Sequence, residues 1–416
     1  MRFWSLNAAV LGLALAASAG AHAMENQKFV YRAASLDLPD FLTEGRLFLD
    51  PEMAFGNWFG GGVTVGDWDR DGYNDIFISS FLADPDGVEN AGAIYVFLGP
   101  DFTETERITA LPEPEEGDNF GMQIEFADMN GDSSQDLVTT CLRSRWVSSD
   151  ESLTMDQAGS FRIVWGPDYA GGIRLFDEYP EAGATLGRGL AAADFNMDGN
   201  MDLAIGGIGA YGALGKVIFR YGPDFNEQSE ILSPIIENGM RFGVSLAAGD
   251  WNADGYVDLI AGADKVSSES GLDKAGQVQI WLGPDYREDQ VIIFEESNPE
   301  VDRNFGASVD FGDLTGDGVP DLVVGISNAK WENKSWVGQV QIYPGPDYEE
   351  MIELNSPIRE ENSIFGSEIK IADVNGDGCS DLVVGEYYAT VDGLSMAGRA
   401  WLFLGVKTEV ETWSLF

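Results

Sequence analysis

The pattern D-x-[DNT]-x-D-[GS]-x-x-D occurs six times along the chain, opening at Asp67, Asp128, Asp194, Asp250, Asp313 and Asp373. Successive copies stand 61, 66, 56, 63 and 60 residues apart. One acidic loop can arise from composition alone. Six in one frame define a repeat, and a repeat restricts the fold more than any local propensity does.

Each repeat has further fixed spacings. An apolar-Gly pair stands seven residues before every loop, in the order Phe59-Gly60, Phe120-Gly121, Leu186-Gly187, Phe242-Gly243, Phe305-Gly306 and Phe365-Gly366. The residues between pair and loop alternate, as in Val244-Ser245-Leu246-Ala247, and predict a first strand. A short apolar run after the loop, such as Asp381-Leu382-Val383-Val384-Gly385, predicts a second and largely buried strand. A third strand opens at Gly92, Gly159, Gly215, Gly276, Gly338 or Gly398 and closes at a Gly seven residues later. Five of the six then read Gly-Pro-Asp-[Phe/Tyr], as in Gly283-Pro284-Asp285-Tyr286, which is turn chemistry. A weaker fourth strand follows, for example Ser229-Glu230-Ile231-Leu232 or Gln290 to Phe294.

Four antiparallel strands in about 60 residues describe one propeller blade. The predicted fold is all-β, a β-propeller of four-stranded blades in one domain spanning residues 24–416, after a leader over 1–23. Closure is ambiguous. Arg46-Leu47-Phe48-Leu49 before the first repeat and Val410 to Leu415 after the last both read as fourth strands. Six blades need only one of them, and the N-terminal strand is expected to close the last blade. The alternative is a partial seventh blade built from both ends, with Phe29-Val30-Tyr31-Arg32 as a third piece.

A hard cation takes six to eight oxygens at about 2.3–2.6 Å. A nine-residue loop supplies them by alternation: side-chain oxygens at positions 1, 3 and 5, a turn at position 6, a carbonyl at 7 and a carboxylate at 9. Loop one offers Asp67, Asp69, Asp71, Tyr73 and Asp75, and loop two Asp128, Asn130, Asp132, Ser134 and Asp136. Loop three offers Asp194, Asn196, Asp198, Asn200 and Asp202, and loop four Asp250, Asn252, Asp254, Tyr256 and Asp258. Loop five offers Asp313, Thr315, Asp317, Val319 and Asp321, and loop six Asp373, Asn375, Asp377, Cys379 and Asp381. With no thiolate or imidazole set, these oxygens suit Ca²⁺, up to six ions. Loops two and five are expected to bind less tightly. Ser133 stands where the turn wants Gly, at a cost of about 1 kcal/mol, and Thr315 offers only a hydroxyl. The spacing is not that of an EF-hand, whose position 12 carries a carboxylate where this chain has Ala261 or Val324.

Phe-Gly before the strand, D-x-D-x-D-G-x-x-D in the loop, D-L-x-V-G after it and A-G-x-[VAI] opening the third strand together resemble FG-GAP repeats, over residues 55 to 405. These build the β-propeller of integrin α subunits and of many exported bacterial proteins. The resemblance implies calcium in the loops and ligands or partner chains on the opposite face. That family usually shows seven repeats; six are found here.

The N-terminus reads as a secretory leader: Arg2, an apolar run from Ala8 to Ala19, and an Ala21-His22-Ala23 cleavage site. The expected location is secreted or periplasmic, with no lipid-anchor Cys near that site and no span long enough for a transmembrane helix. His22 is the sole histidine, so a cut after Ala23 leaves none. That excludes Ser-His-Asp and Cys-His nucleophiles and His-ligated zinc or iron. The net charge of −46 becomes −47 without Arg2, which disfavours nucleic acid and anionic lipid and attracts cations. Cys141 and Cys379 fall in different repeats and read as buried free thiols.

Alternating strand direction puts the acidic loops on one rim and the connections between second and third strands on the other. Those connections vary in length, and variable loops on a rigid ring are where binding sites develop. They carry Arg143, Arg145, Trp146, Tyr211, Lys265, Lys330, Trp331, Lys334, Trp336, Tyr387 and Tyr388, a set suited to a carboxylate-bearing protein loop or an anionic glycan. The expectation is an exported calcium-binding, protein- or glycan-binding adhesion module and not an enzyme, with no nucleic-acid partner and no membrane insertion. The alternatives are a glycan hydrolase working through paired carboxylates, with Asp84, Asp86 and Glu89 as the best cluster, or a structural subunit of an exported complex.

Overall fold

A computed structural model describes residues 38–110 and 114–406. They form six four-stranded antiparallel sheets. Blade one runs from Phe59–Gly66 at the axis through Asp75–Ser80 and Ala93–Phe97 to Thr105–Ile108 at the rim. The other axial strands are Phe120–Ala127, Leu186–Ala193, Leu246–Gly249, Phe305–Gly312 and Glu368–Ala372. Each packs on its neighbour, and the last packs on the first, so the blades close into a ring.

Blade six settles the closure question. Its order from the axis is Glu368–Ala372, Asp381–Glu386, Arg399–Gly405 and then Leu42–Leu49. The N-terminal strand pairs antiparallel with the last repeat, Leu47 opposite Trp401 and Leu49 opposite Arg399. The ring is thus a six-bladed propeller, closed by the strand expected to close it. The leader over 1–23, Phe29 to Arg32 and Val410 to Leu415 lie outside the described residues.

Burial follows the sequence pattern. All six residues of every second strand are buried, from Asp75–Ser80 to Asp381–Glu386. These strands have a sheet neighbour on each side and another blade on each face, so they read as apolar runs without alternation. Thr105–Ile108 at the rim is mostly exposed. The core is divided among the interfaces between blades. Phe77, Ile94 and Val96 of blade one pack with Phe120, Ile124 and Leu137 of blade two, and equivalent clusters occupy the other five junctions.

The apolar-Gly pair is the stitch between blades. The Phe305 amide donates to the Ala275 carbonyl at 2.9 Å, just before the third strand of the preceding blade, and Phe120, Leu186, Phe242, Phe365 and Phe59 do the same. Gly276 sits against this contact with φ near +87°, and a Cβ there would lie 2.2 Å from the Phe305 carbonyl oxygen. Only glycine allows that approach. The Gly of the pair is also left-handed, and the strand register slips just after it in blades one, two, three and five, a bulge of the kind a positive φ produces.

Among the described residues Cys141 is buried and free, with burial pushing its thiol up to about 11. Cys379 is only half-buried. The expectation of two buried thiols is corrected there: position 7 of a loop lies at the rim, not in the core.

Candidate functional sites on the two faces

All six acidic loops connect an axial strand to the second strand of the same blade, so they share one face. Each is folded by its own carboxylates. Asp250 accepts the amides of Asp254 and Gly255 at 3.0 and 2.9 Å, Asn252 accepts Asp254 at 3.0 Å, and Asp254 accepts Tyr256 at 3.0 Å. The same net recurs at Asp128, Asn130, Asp132 and Ser134, at Asp194, Asn196, Asp198 and Asn200, and at Asp373, Asn375, Asp377 and Cys379. The turn position is left-handed throughout, φ near +90° at Gly72, Gly199, Gly255 and Gly318 and +70° at Ser133. Position 4 is left-handed too, including Arg70, Met197 and Ala253, a requirement that sequence reading missed. In loop five Thr315 departs from the net: its amide donates to Asp321, and its hydroxyl faces the same carboxylate at 3.5 Å.

The carboxylate at position 9 does more than expected. Asp258 is fully buried and takes the Trp251 amide at 2.8 Å on one oxygen and the Gly283 amide at 2.7 Å on the other. Asp75, Asp136, Asp202, Asp321 and Asp381 repeat this clamp, tying the loop to the Gly that closes the third strand. The Gly-Pro-Asp turn is therefore part of the loop's foundation. Each Asp258 oxygen keeps a second lone pair for a cation, whereas Oδ2 of Asp202 and of Asp321 also takes the amide of Asn196 and of Thr315. Burial raises the proton affinity of all six against the opposing amide bonds, up to about 6 at Asp381.

The residues fit a hard divalent ion. Ligand oxygens of Asp67, Asp69 and Asp71 lie within 4.8 Å of one another, and Asp67 Oδ1 is shut off from solvent with no hydrogen-bond partner. Three converging carboxylates repel unless a cation joins them. With Asp75 and the Tyr73 carbonyl they form an oxygen-only set suited to Ca²⁺. In the other loops Asn or Thr replaces one carboxylate, which lowers the charge and keeps the oxygen count.

The opposite face carries the connections between second and third strands. They do not converge on one patch. Arg143 and Arg145 are exposed on blade two beside half-buried Trp146, which belongs to a small ribbon with Met155. Tyr211 of blade three donates its hydroxyl to Glu230 at 2.8 Å. Trp331 of blade five has Arg359 3.7 Å above its ring, and Trp336 nearby is 46% exposed. Lys265 of blade four lies nearer the axis, beside Arg241 and Asp264. Tyr387 and Tyr388 do come together, and they bring in two residues missed in the sequence. Trp58 stacks on Tyr387 at 5.4 Å and tilts against Tyr388 at 4.6 Å, with Phe81 edge-on at 5.4 Å. Trp58 precedes an axial strand and so lies outside the variable connections, whereas Phe81 opens the connection after Asp75–Ser80, at the position that Tyr387 holds in blade six. Beside this cluster, Asp84 and Glu89 line a cavity of about 660 Å³. Asp84 holds the Asn90 amide at 2.7 Å and Asp86 pairs with Arg107 at 3.1 Å.

The FG-GAP repeat family model matches residues 242–281, 305–343 and 365–403, and the model for FG-GAP-like repeats matches 67–139. The chain is an FG-GAP repeat protein. Blade three lies outside the matched segments, and it is the blade whose axial strand opens Leu186-Gly187 in place of Phe-Gly. Human phosphatidylinositol-glycan-specific phospholipase D is 32% identical over 190 residues, 41% of this chain and 22% of that protein. Chicken integrin alpha-8 is 25% identical over 255 residues, 54% of this chain and 23% of that protein. Integrin alpha-5 of Xenopus laevis is 27% identical over 251 residues, 56% and 23% respectively. The FG-GAP chain thus spans under a quarter of the length of these relatives. No helix among its described residues is long and apolar enough to cross a membrane.

Proposed function

We propose that this propeller is an exported, calcium-stabilised binding module that engages a protein through the face opposite its acidic loops. The carrying observation is the division of labour between faces. One rim repeats the same oxygen-rich loop six times on buried Asp clamps. The other presents loops of unequal length around the Trp58, Phe81, Tyr387 and Tyr388 cluster. Aromatic and arginine side chains on a rigid frame supply most of the energy of protein interfaces. Likeness to integrin alpha chains supports a protein ligand over a glycan.

In this reading Ca²⁺ is structural. Held by positions 1, 3, 5 and 9, it would neutralise the carboxylates of each loop and fix the hairpin that joins the axial strand to the second strand. The test is affinity capture from the native surroundings with the calcium-loaded chain as bait, compared with a Trp58→Ala/Tyr388→Ala variant and with bait held in chelator. A specific protein partner lost in the variant supports the proposal. Equal capture by variant and parent, or no partner at all, contradicts it.

A further inference from the structure

The axial mouth on the ligand face holds a charge arrangement that the loops do not explain. Arg188 stands two residues into the axial strand of blade three. Its Nη1 is shut off from solvent and has no hydrogen-bond acceptor in the protein. Deeper along the axis, Gln123 of blade two donates to Glu368 of blade six at 2.8 Å. Below them Lys370 is ion-paired with Glu125 at 2.9 Å, and Asp310 accepts the Ile371 amide at 2.6 Å. These groups line a cavity of about 200 Å³. The lower channel is thus largely matched in hydrogen bonding. Its upper end is not.

Around that end stand Arg188, Arg241 and Lys265, with the Tyr387 ring within the fields of Arg188, Arg241, Glu368 and Asp264. Arg241 gives Nε and Nη2 to buried Asp264, which leaves Nη1 for another acceptor. Lys265 feels Asp264 and Asp302 against Arg241 and Lys274, and its own burial lowers its proton affinity. Glu368 lies in the field of Arg188 but makes no ion pair with it. Because burial pushes the Glu368 carboxyl up to about 7, it offsets the arginine only in part near neutral pH. Asp264 and Asp302 thus answer Arg241 and Lys265, and the Arg188 guanidinium is left without an ion pair in the neighbourhood of the Tyr387 ring. Such a guanidinium selects an anion, and its fork matches a carboxylate better than a spherical anion.

We infer that this mouth receives a carboxylate side chain of a partner protein, with Arg188 as its principal donor and Arg241 and Tyr387 at its rim. The inference deepens the protein-binding reading and rests on it. An aspartate or glutamate on a protruding loop would enter along the axis, meet Arg188 through two parallel N–H bonds and displace solvent against Trp58 and Tyr388. Sequence scanning of the variable connections could not find Arg188, because it sits on an axial strand, where inward-facing positions elsewhere carry Gly61, Val244 or Ala307.

The test uses the full calcium-loaded chain and an acetylated, amidated Gly-Gly-Asp-Gly-Gly peptide whose only charge is the aspartate, with the Asn peptide as control. Saturation-transfer NMR reads contact. The expected result is transfer to the Asp peptide, competition by acetate and loss as salt is raised. Binding should weaken roughly tenfold or more in Arg188→Gln and less in Arg188→Lys, with unchanged melting temperatures in both. Equal transfer to the Asn peptide, or an Arg188→Gln variant that binds as the parent does, overturns the site. A captured protein partner that is retained by Arg188→Gln also overturns it while leaving the protein-binding reading intact; failure of capture by the parent chain contradicts that broader reading.

Discussion

At the scale of single residues, the chain's glycines separate into two kinds. Gly276 and Gly271 both have φ near +80 to +90°, but a Cβ on Gly276 meets the Phe305 backbone at 2.2 Å whereas one on Gly271 meets nothing within 4 Å. Gly276→Ala should therefore destabilise by on the order of 3 kcal/mol, strain and overpacking together, and Gly271→Ala by about 1 kcal/mol. Urea unfolding of the two variants checks this, and equal losses would mean that the stitch between blades is not what fixes Gly276. Glu368 is a second case. Its ordinary value of 4.5 is pushed to about 7, chiefly by burial, so between those values the folded chain holds a proton that the unfolded chain releases. That contribution to stability is complete below pH 4.5, is lost as pH rises to about 7 and is flat above. Glu368→Gln should remove this slope and gain on the order of 2 kcal/mol above neutrality, read as the difference between variant and parent unfolding energies across pH. The repeat made the glycines legible in the sequence. The burial of Glu368 was not legible, because only ring closure brings Gln123 within 2.8 Å of it.

At the scale of the loop and its blade, the structure divides the acidic loop into a rim and a foundation. Position 5 is exposed and bonds only within the loop, as at Asp254, whereas position 9 is buried and holds two backbone amides, as at Asp258. Asp258→Asn should lower stability with calcium and with chelator alike, by about 2 kcal/mol, since one amide then faces an NH₂ donor. Asp254→Asn should lower it only when calcium is present. Paired melting curves in calcium and in chelator distinguish the two; the same dependence on calcium in both variants would refute the division. Spacing revealed the nine-residue loop, its turn at position 6 and its oxygen donors. It did not reveal the clamp, because Asp258 and Gly283 belong to motifs that sequence reading treats separately and a hydrogen bond leaves no composition signal. The Gly-Pro-Asp-[Phe/Tyr] turn looked self-contained, yet its aromatic packs on the neighbouring blade: Tyr348 stacks on Trp251 at 4.0 Å and Tyr169 on Trp68 at 3.8 Å.

At the scale of the whole molecule, the ring depends on a strand that comes from outside the repeats. Leu42–Leu49 completes blade six, with Leu42 and Phe48 buried against it. A chain starting at residue 50 would expose the edge of Arg399–Gly405 and the apolar surface around Trp401, and it should aggregate or lose its cooperative unfolding transition. The repeat count favoured six blades, but two spare apolar strands, Arg46 to Leu49 and Val410 to Leu415, left closure open, and it is the pairing of the first with Arg399–Gly405 that decides it. The face opposite the acidic loops was less legible, since its residues gather by ring geometry: Trp58 and Tyr388 are far apart in the chain and meet only because blade six adjoins blade one.

On the proposed reading, calcium in the six loops holds this ring together. The most direct test is thermal unfolding of the chain in calcium and in chelator, with bound calcium counted by equilibrium dialysis. The expected result is a large rise in melting temperature with calcium and about four to six ions per chain, loops two and five filling last. An unchanged melting temperature with no bound calcium would contradict it and leave the loops as acidic hairpins held by their own backbone bonds.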